Sequence, residues 1–129
     1  MRKIREIILH CSDSNIENHD DISVIRKWHV EERGWNDVGY HYFITSKGVI
    51  QQGRDLDIAG AHCKNHNQQS IGICLHGKLL EDFNQAQKLT LYRLLRSLVT
   101  LFPDVTIHGH NEFSDKLCPV FDVEPFKHV

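Results

Sequence analysis

Strand-like and helix-like segments alternate along this chain, which predicts an α/β fold with a mixed sheet. Three observations carry that prediction. Residues 4–11 are nearly continuous in β-branched and leucine side chains, residues 38–51 hold two β-rich runs around a tight turn, and residues 83–102 repeat apolar side chains at helical spacing. The 129 residues suit one domain spanning 1–129, with enough chain to bury a single core, and no linker or repeat divides them.

The first run, IREIILHC, reads as a central strand buried on both faces. Asp20 or Asp21 caps a helix reaching about residue 33, in which Ile22, Ile25, Trp28 and His29 share a face and which Gly34 stops. Residues 38–45 (VGYHYFIT) form the second predicted strand, 46–48 (SKG) a turn, and 49–51 the returning strand. A polar loop follows over 52–70, then a strand over 70–76 (SIGICLH). In the long helix, Ala86, Leu89, Leu91, Leu94, Leu95, Leu98, Val99 and Phe102 build an apolar stripe, with Asn84 as cap and Pro103 as terminator. Residues 105–107 make a short last strand, and a helical turn is expected after Cys118-Pro119.

Composition excludes several classes. A net charge of −2 argues against a polyanion-binding surface, so no nucleic-acid partner is expected. The longest apolar run is too short to cross a bilayer, so no membrane partner is expected either. The basic, then apolar, N-terminus is interrupted by charges and lacks a small-residue cleavage site. It reads as a strand and not a signal peptide, which makes the chain cytoplasmic as synthesised. Of four cysteines, Cys11 and Cys74 lie in apolar runs and are expected to be buried thiols, not disulfide partners.

Ten histidines are the compositional oddity. His10 closes the first apolar run, and the stretch IHGHNEFSDKLCPVFD brings His110, Lys116 and Cys118 together in sequence. Two imidazoles and a thiolate are zinc ligands of suitable softness, and three protein ligands leave a fourth position open for chemistry. If the first and last strands are parallel neighbours, His10 and His110 meet beyond the carboxyl ends of the sheet, where sites gather in open α/β folds. Cys118 returns from the loop seven residues after His110. His108 competes with His110, because both share a side if the strand continues. A second cluster, His62, Cys63, His66, Cys74 and His76, lacks the paired spacing of structural zinc sites. From it, only His62 is expected to line a cleft and touch substrate.

Four segments resemble the zinc-dependent N-acetylmuramoyl-L-alanine amidases of the type-2 family, whose fold peptidoglycan recognition proteins share. They are IILHCSDS at 7–14, GWNDVGYHYFI at 34–44, GRDLDIAGAHCKNHNQQSIGICLHG at 53–77 and HGHNEFSDKLCPVFD at 108–122. The resemblance implies a mixed, mainly five-stranded central sheet flanked by helices. It implies one zinc ion bound by His10, His110 and Cys118, with Tyr40 and Lys116 as catalytic residues. It also implies hydrolysis of the amide between N-acetylmuramic acid and L-alanine, as in phage or prophage endolysins, with peptidoglycan as partner. Separately from the resemblance, a monomer is the expected working form. Relatives often carry a small or acidic residue and a second glycine where this chain has His76-Gly77-Lys78.

These residue types suit amide hydrolysis. Zinc acidifies water and polarises a carbonyl. A thiolate ligand softens that Lewis acidity, and Lys116 can compensate as a point charge near the developing oxyanion, with Tyr40 as a hydrogen-bond donor. Two rival readings predict different sites. A binding-only module on the same fold is expected to lack the thiolate, and Cys118 is present. A glycoside hydrolase needs two flanking carboxylates, for which Glu112 and Asp115 are the candidates.

Overall fold

The computed structural model describes residues 2–129. Its strands are β1 (Glu6–Cys11), β2 (Tyr42–Ile44), β3 (Ile50–Gln52), β4 (Ser70–Leu75) and β5 (Thr106–Gly109). They form one mixed sheet in the order β3-β2-β4-β1-β5. β1 runs parallel to both β4 and β5, β2 runs parallel to β4, and only β3 is antiparallel, joined to β2 by the turn. The expected five-stranded mixed sheet is therefore present. No helix among the described residues is long and apolar enough to cross a membrane.

The alternation of side chains along β1 divides the core. Ile7, Leu9 and Cys11 join Ile71, Ile73 and Leu75 of β4 against the long helix α2 (Gln85–Leu101). Cys74 faces the opposite side, where it packs with Phe43, Val38, Ile22 and Ile25. Ile22 and Ile25 belong to α1 (Ile22–Lys27).

Asn84 caps α2 by accepting from the Gln87 amide at 3.0 Å, while the Gln87 side chain accepts from the Asn84 amide at 3.1 Å. The buried stripe differs from the expected one. Ala86 is exposed and Leu89 is 50% exposed, because neither falls on the line traced by Leu91, Leu94, Leu95 and Leu98. Gln87 takes the place on that line one turn before Leu91, fully buried, and its amide donates to the His76 carbonyl at 2.8 Å. A polar side chain is tolerated there because its donor is satisfied.

Asp21 caps α1, accepting from the Ser23 amide at 2.8 Å, and Asp20 instead accepts from the Ser46 amide at 3.0 Å. The predicted helix does not stay α-helical to residue 33. It widens into a π-helical turn over Trp28–Glu32 before Gly34 reverses the chain at φ +71°. The predicted strand over 38–45 is shorter as well. Gly39 passes so close to the Ala61 carbonyl that a Cβ would clash, so the chain bends there and enters the ladder only at Tyr42. The last strand begins at Thr106 and ends at Gly109.

Candidate active site

His10 is the penultimate residue of β1 and His110 the first residue after β5. Leu9 pairs with Gly109 across these parallel neighbours, so the next residue of each strand meets the other, with ring centroids 4.5 Å apart. The loop after His110 folds back because the Asn111 amide donates to the Cys118 carbonyl at 2.8 Å. That closure delivers the Cys118 sulfur to the end of β1, where it accepts from the Cys11 amide at 3.1 Å. The donor atoms of His10, His110 and Cys118 lie within 4.8 Å of one another, the one such group among the described residues.

The competition between His108 and His110 is resolved by where β5 stops. A 3-10 turn over His110–Glu112 ends the strand, so the two side chains no longer share a face. Glu112 holds that turn by accepting from the Gly109 amide at 2.8 Å. It also lies 2.9 Å from His108 Nδ1, which keeps His108 outside the donor group. In the second histidine cluster, His66 pairs with Glu6 at 2.9 Å and stacks on Phe113, and Cys63 and Cys74 are buried free thiols.

His62 lines the cleft, and its Nδ1 also lies 2.8 Å from His10 Nε2. Its other nitrogen is 3.1 Å from the Ser70 hydroxyl. Gly72 makes room for this ring, since a Cβ there would sit 2.6 Å from it. With one nitrogen of His10 engaged by His62, the other is free for a cation. Burial, followed by His62, His110 and Lys116, pushes His10 well below its ordinary value. Burial and then Lys116 lower His110 as well. Both rings are thus neutral at pH 7, the form that donates a lone pair. Contact with Cys11 and then burial push the Cys118 thiol up, so a thiolate there calls for a neighbouring cation. Two neutral imidazoles and a sulfur fit a soft divalent ion.

Tyr40 and Lys116 open onto the same cleft of about 1160 Å³. The Tyr40 ring stands 5.0 Å from His10. Burial, then the nearby cysteines, hold its phenol well above the ordinary value, so it stays a hydroxyl donor. Lys116 is exposed at the rim, on the segment between His110 and Cys118. Sequence reading missed the rest of the rim. Arg33, Lys64 and Lys78 join Lys116 there, and among the described residues Asp13 is the only carboxylate lining the cleft. Trp35 forms part of the wall, with the Arg33 guanidinium 5.1 Å from its ring. These residues come from separate loops, and no local pattern marks them. The two carboxylates a glycoside hydrolase would use do not line the cleft, and Glu112 is occupied by Gly109, His108 and Lys127.

The sequence profile of the N-acetylmuramoyl-L-alanine amidase family matches residues 1–121. The chain belongs to this family. The endolysin of Escherichia phage T7 is 37% identical over 124 residues, which is 92% of this chain and 82% of that protein. The N-acetylmuramoyl-L-alanine amidase LysC from Clostridium intestinale superimposes with a TM-score of 0.88 at 27% identity, covering 98% of this chain and 84% of that one. A tyrosine-to-phenylalanine mutant of Drosophila PGRP-LB in complex with tracheal cytotoxin superimposes with a TM-score of 0.81 at 26% identity, covering 92% and 76%. The protein is accordingly an enzyme, an amidase of the cell-wall lytic type.

Proposed function

We propose that this amidase hydrolyses the bond between the muramic acid lactyl group and L-alanine with one zinc ion held by His10, His110 and Cys118. The observation that carries the proposal is the convergence of three soft donors within 4.8 Å at the carboxyl edge of the sheet. When bound, zinc supplies Lewis acidity for water activation and carbonyl polarisation.

The chain's own residues do the rest. The Cys11 amide donates to the Cys118 sulfur, which favours its thiolate form, and His62 orients His10 as an outer partner of a metal-binding histidine. Lys116 offers a positive charge, and Tyr40 a hydroxyl, to the amide oxygen as charge develops on it. The rim cations suit an anionic peptide. His62 acts on substrate through His10, which refines the simpler expectation of a direct contact. The partner is peptidoglycan, the site of action is the cell wall, and the working form is a monomer.

The test combines metal analysis of the purified protein with mass spectrometry of digested peptidoglycan. Stoichiometric zinc and new L-alanine amino termini on uncut glycan are expected. New reducing ends, or unchanged release after verified zinc removal, would overturn the proposal.

A further inference from the structure

Cys11 and Cys118 come from opposite ends of the chain, 107 positions apart, and meet at the edge of the donor group. The Cys118 sulfur lies 3.1 Å from the Cys11 amide nitrogen and 3.8 Å from its carbonyl oxygen. The Cys118 side chain also packs against the buried cluster that contains Cys11. Both line the cleft, so a small oxidant reaching the donor group reaches this pair. Cys63 also lines the cleft and Cys74 does not; Cys11, Cys63 and Cys74 are all buried, and all four cysteines are free. We propose that Cys11 and Cys118 are an oxidation site for hydroperoxides, at which a reversible disulfide removes the sulfur from the donor group.

The chemistry balances in two steps. The Cys118 thiolate attacks one peroxide oxygen, the O–O bond breaks, and sulfenic acid and hydroxide form. The Cys11 thiol then attacks the sulfenic sulfur, the S–O bond breaks, and the oxygen leaves as water with the thiol proton. The sulfurs lose two electrons in all, and the peroxide gains them. Cys11 serves as the resolving thiol, which spares Cys118 from the irreversible sulfinic state. The disulfide follows from the contact of the Cys118 sulfur with Cys11; release of a metal on oxidation rests on the zinc site proposed above.

The experiment treats zinc-loaded and chelator-stripped protein with hydrogen peroxide. Unreduced digests are mapped by mass spectrometry, and released zinc is followed with a chromogenic chelator. A Cys11–Cys118 linked peptide is expected in both samples, with two of the four thiols lost, and it should form faster where a bound cation holds Cys118 as the thiolate. Zinc should leave the loaded sample, and dithiothreitol with added zinc should restore it. In Cys11→Ser, zinc should still leave, but Cys118 should end as a sulfinic acid that dithiothreitol does not reverse. The wild-type map needs no variant. Oxidised Cys118 without a link to Cys11, or a link through Cys63 or Cys74, would overturn the inference. A Cys11–Cys118 link in protein that never binds zinc would uphold it and sink the metal proposal alone.

Discussion

The two faces of the sheet are built from the same strands and do different work. On the α2 face, Ile7, Leu9, Ile71, Ile73, Leu91 and Leu95 pack as an apolar layer. On the other face the buried residues include histidines, of which His10, His29 and His41 have hydrogen-bond partners while His76 Nδ1 has none. His29 Nδ1 accepts from the Gly39 amide at 2.8 Å, His41 Nδ1 accepts from the Gly72 amide at 3.0 Å, and His62 supports His10. Burying a polar group costs stability unless it is satisfied. The second face accepts that constraint and in return holds a site. Stability should therefore respond mainly to the first face, and catalysis to the second.

The largest expected separation comes from Cys118→Ser. An alcohol is a poor substitute for a thiolate on a soft ion. Zinc content and amidase activity should fall to background while the circular dichroism spectrum stays folded. Retention of stoichiometric zinc would remove Cys118 from the donor set. On the opposite face, Leu95→Ala should lower unfolding free energy by about 2–5 kcal/mol, the usual cost of a buried leucine truncation. Turnover per folded molecule should hold. A zinc affinity that drops along with stability would mean the faces are mechanically coupled.

Smaller effects sharpen the picture within the second face. Lys116→Ala and Tyr40→Phe should each reduce turnover on a muramyl peptide by on the order of 10²-fold, as for loss of an oxyanion donor, without loss of zinc. Wild-type rates in either variant would leave that side chain as rim or packing. His62→Ala should weaken zinc by about 10–100-fold, the typical effect of an outer partner of a ligand. Unchanged zinc affinity with a raised KM would instead make His62 a direct substrate contact.

Much of this division was legible in the sequence, for reasons that also explain what was not. The grouping of candidate donors could be read because a strand end and a short loop each carry soft side chains in sequence, His10 in one and His110 with Cys118 in the other. His108 could not be separated from His110, since the choice depends on whether β5 ends at Gly109. A Glu112 carboxylate on the Gly109 amide decides it. The seat of His62 depends on a side chain that Gly72 lacks, and a glycine inside a strand is the one sequence sign of such a close approach. The stripe of α2 was misread at Ala86 and Leu89 because hydrophobicity outweighed position, while Gln87 was overlooked as polar. The cationic rim gathers from loops that only tertiary structure brings together.

The mildest test uses acid. Burial, then Arg33 and Arg54, lowers His29 from the ordinary 6.5 to about 4. His41 is also lowered to about 4 by burial, against an opposing hydrogen bond to the Ile58 carbonyl, with Arg2 and Arg54 adding to the fall. Without metal, His10, His62 and His110 shift in the same direction. All five belong to the second face or its rim. Between pH 6.5 and about 4 the unfolded chain binds protons that folded His29 and His41 refuse, so stability rises with pH across that window. The stabilisation is complete above 6.5 and is lost as pH falls toward 4. Urea midpoints of chelator-treated protein should be level above neutrality and decline steadily through that window. Leu95→Ala should follow a parallel curve at lower stability, because the layer around it holds no histidine or carboxylate among the described residues. His41→Gln should start lower at neutral pH and decline less steeply. Equal slopes in His41→Gln and wild type would mean that the acid sensitivity arises elsewhere in the molecule.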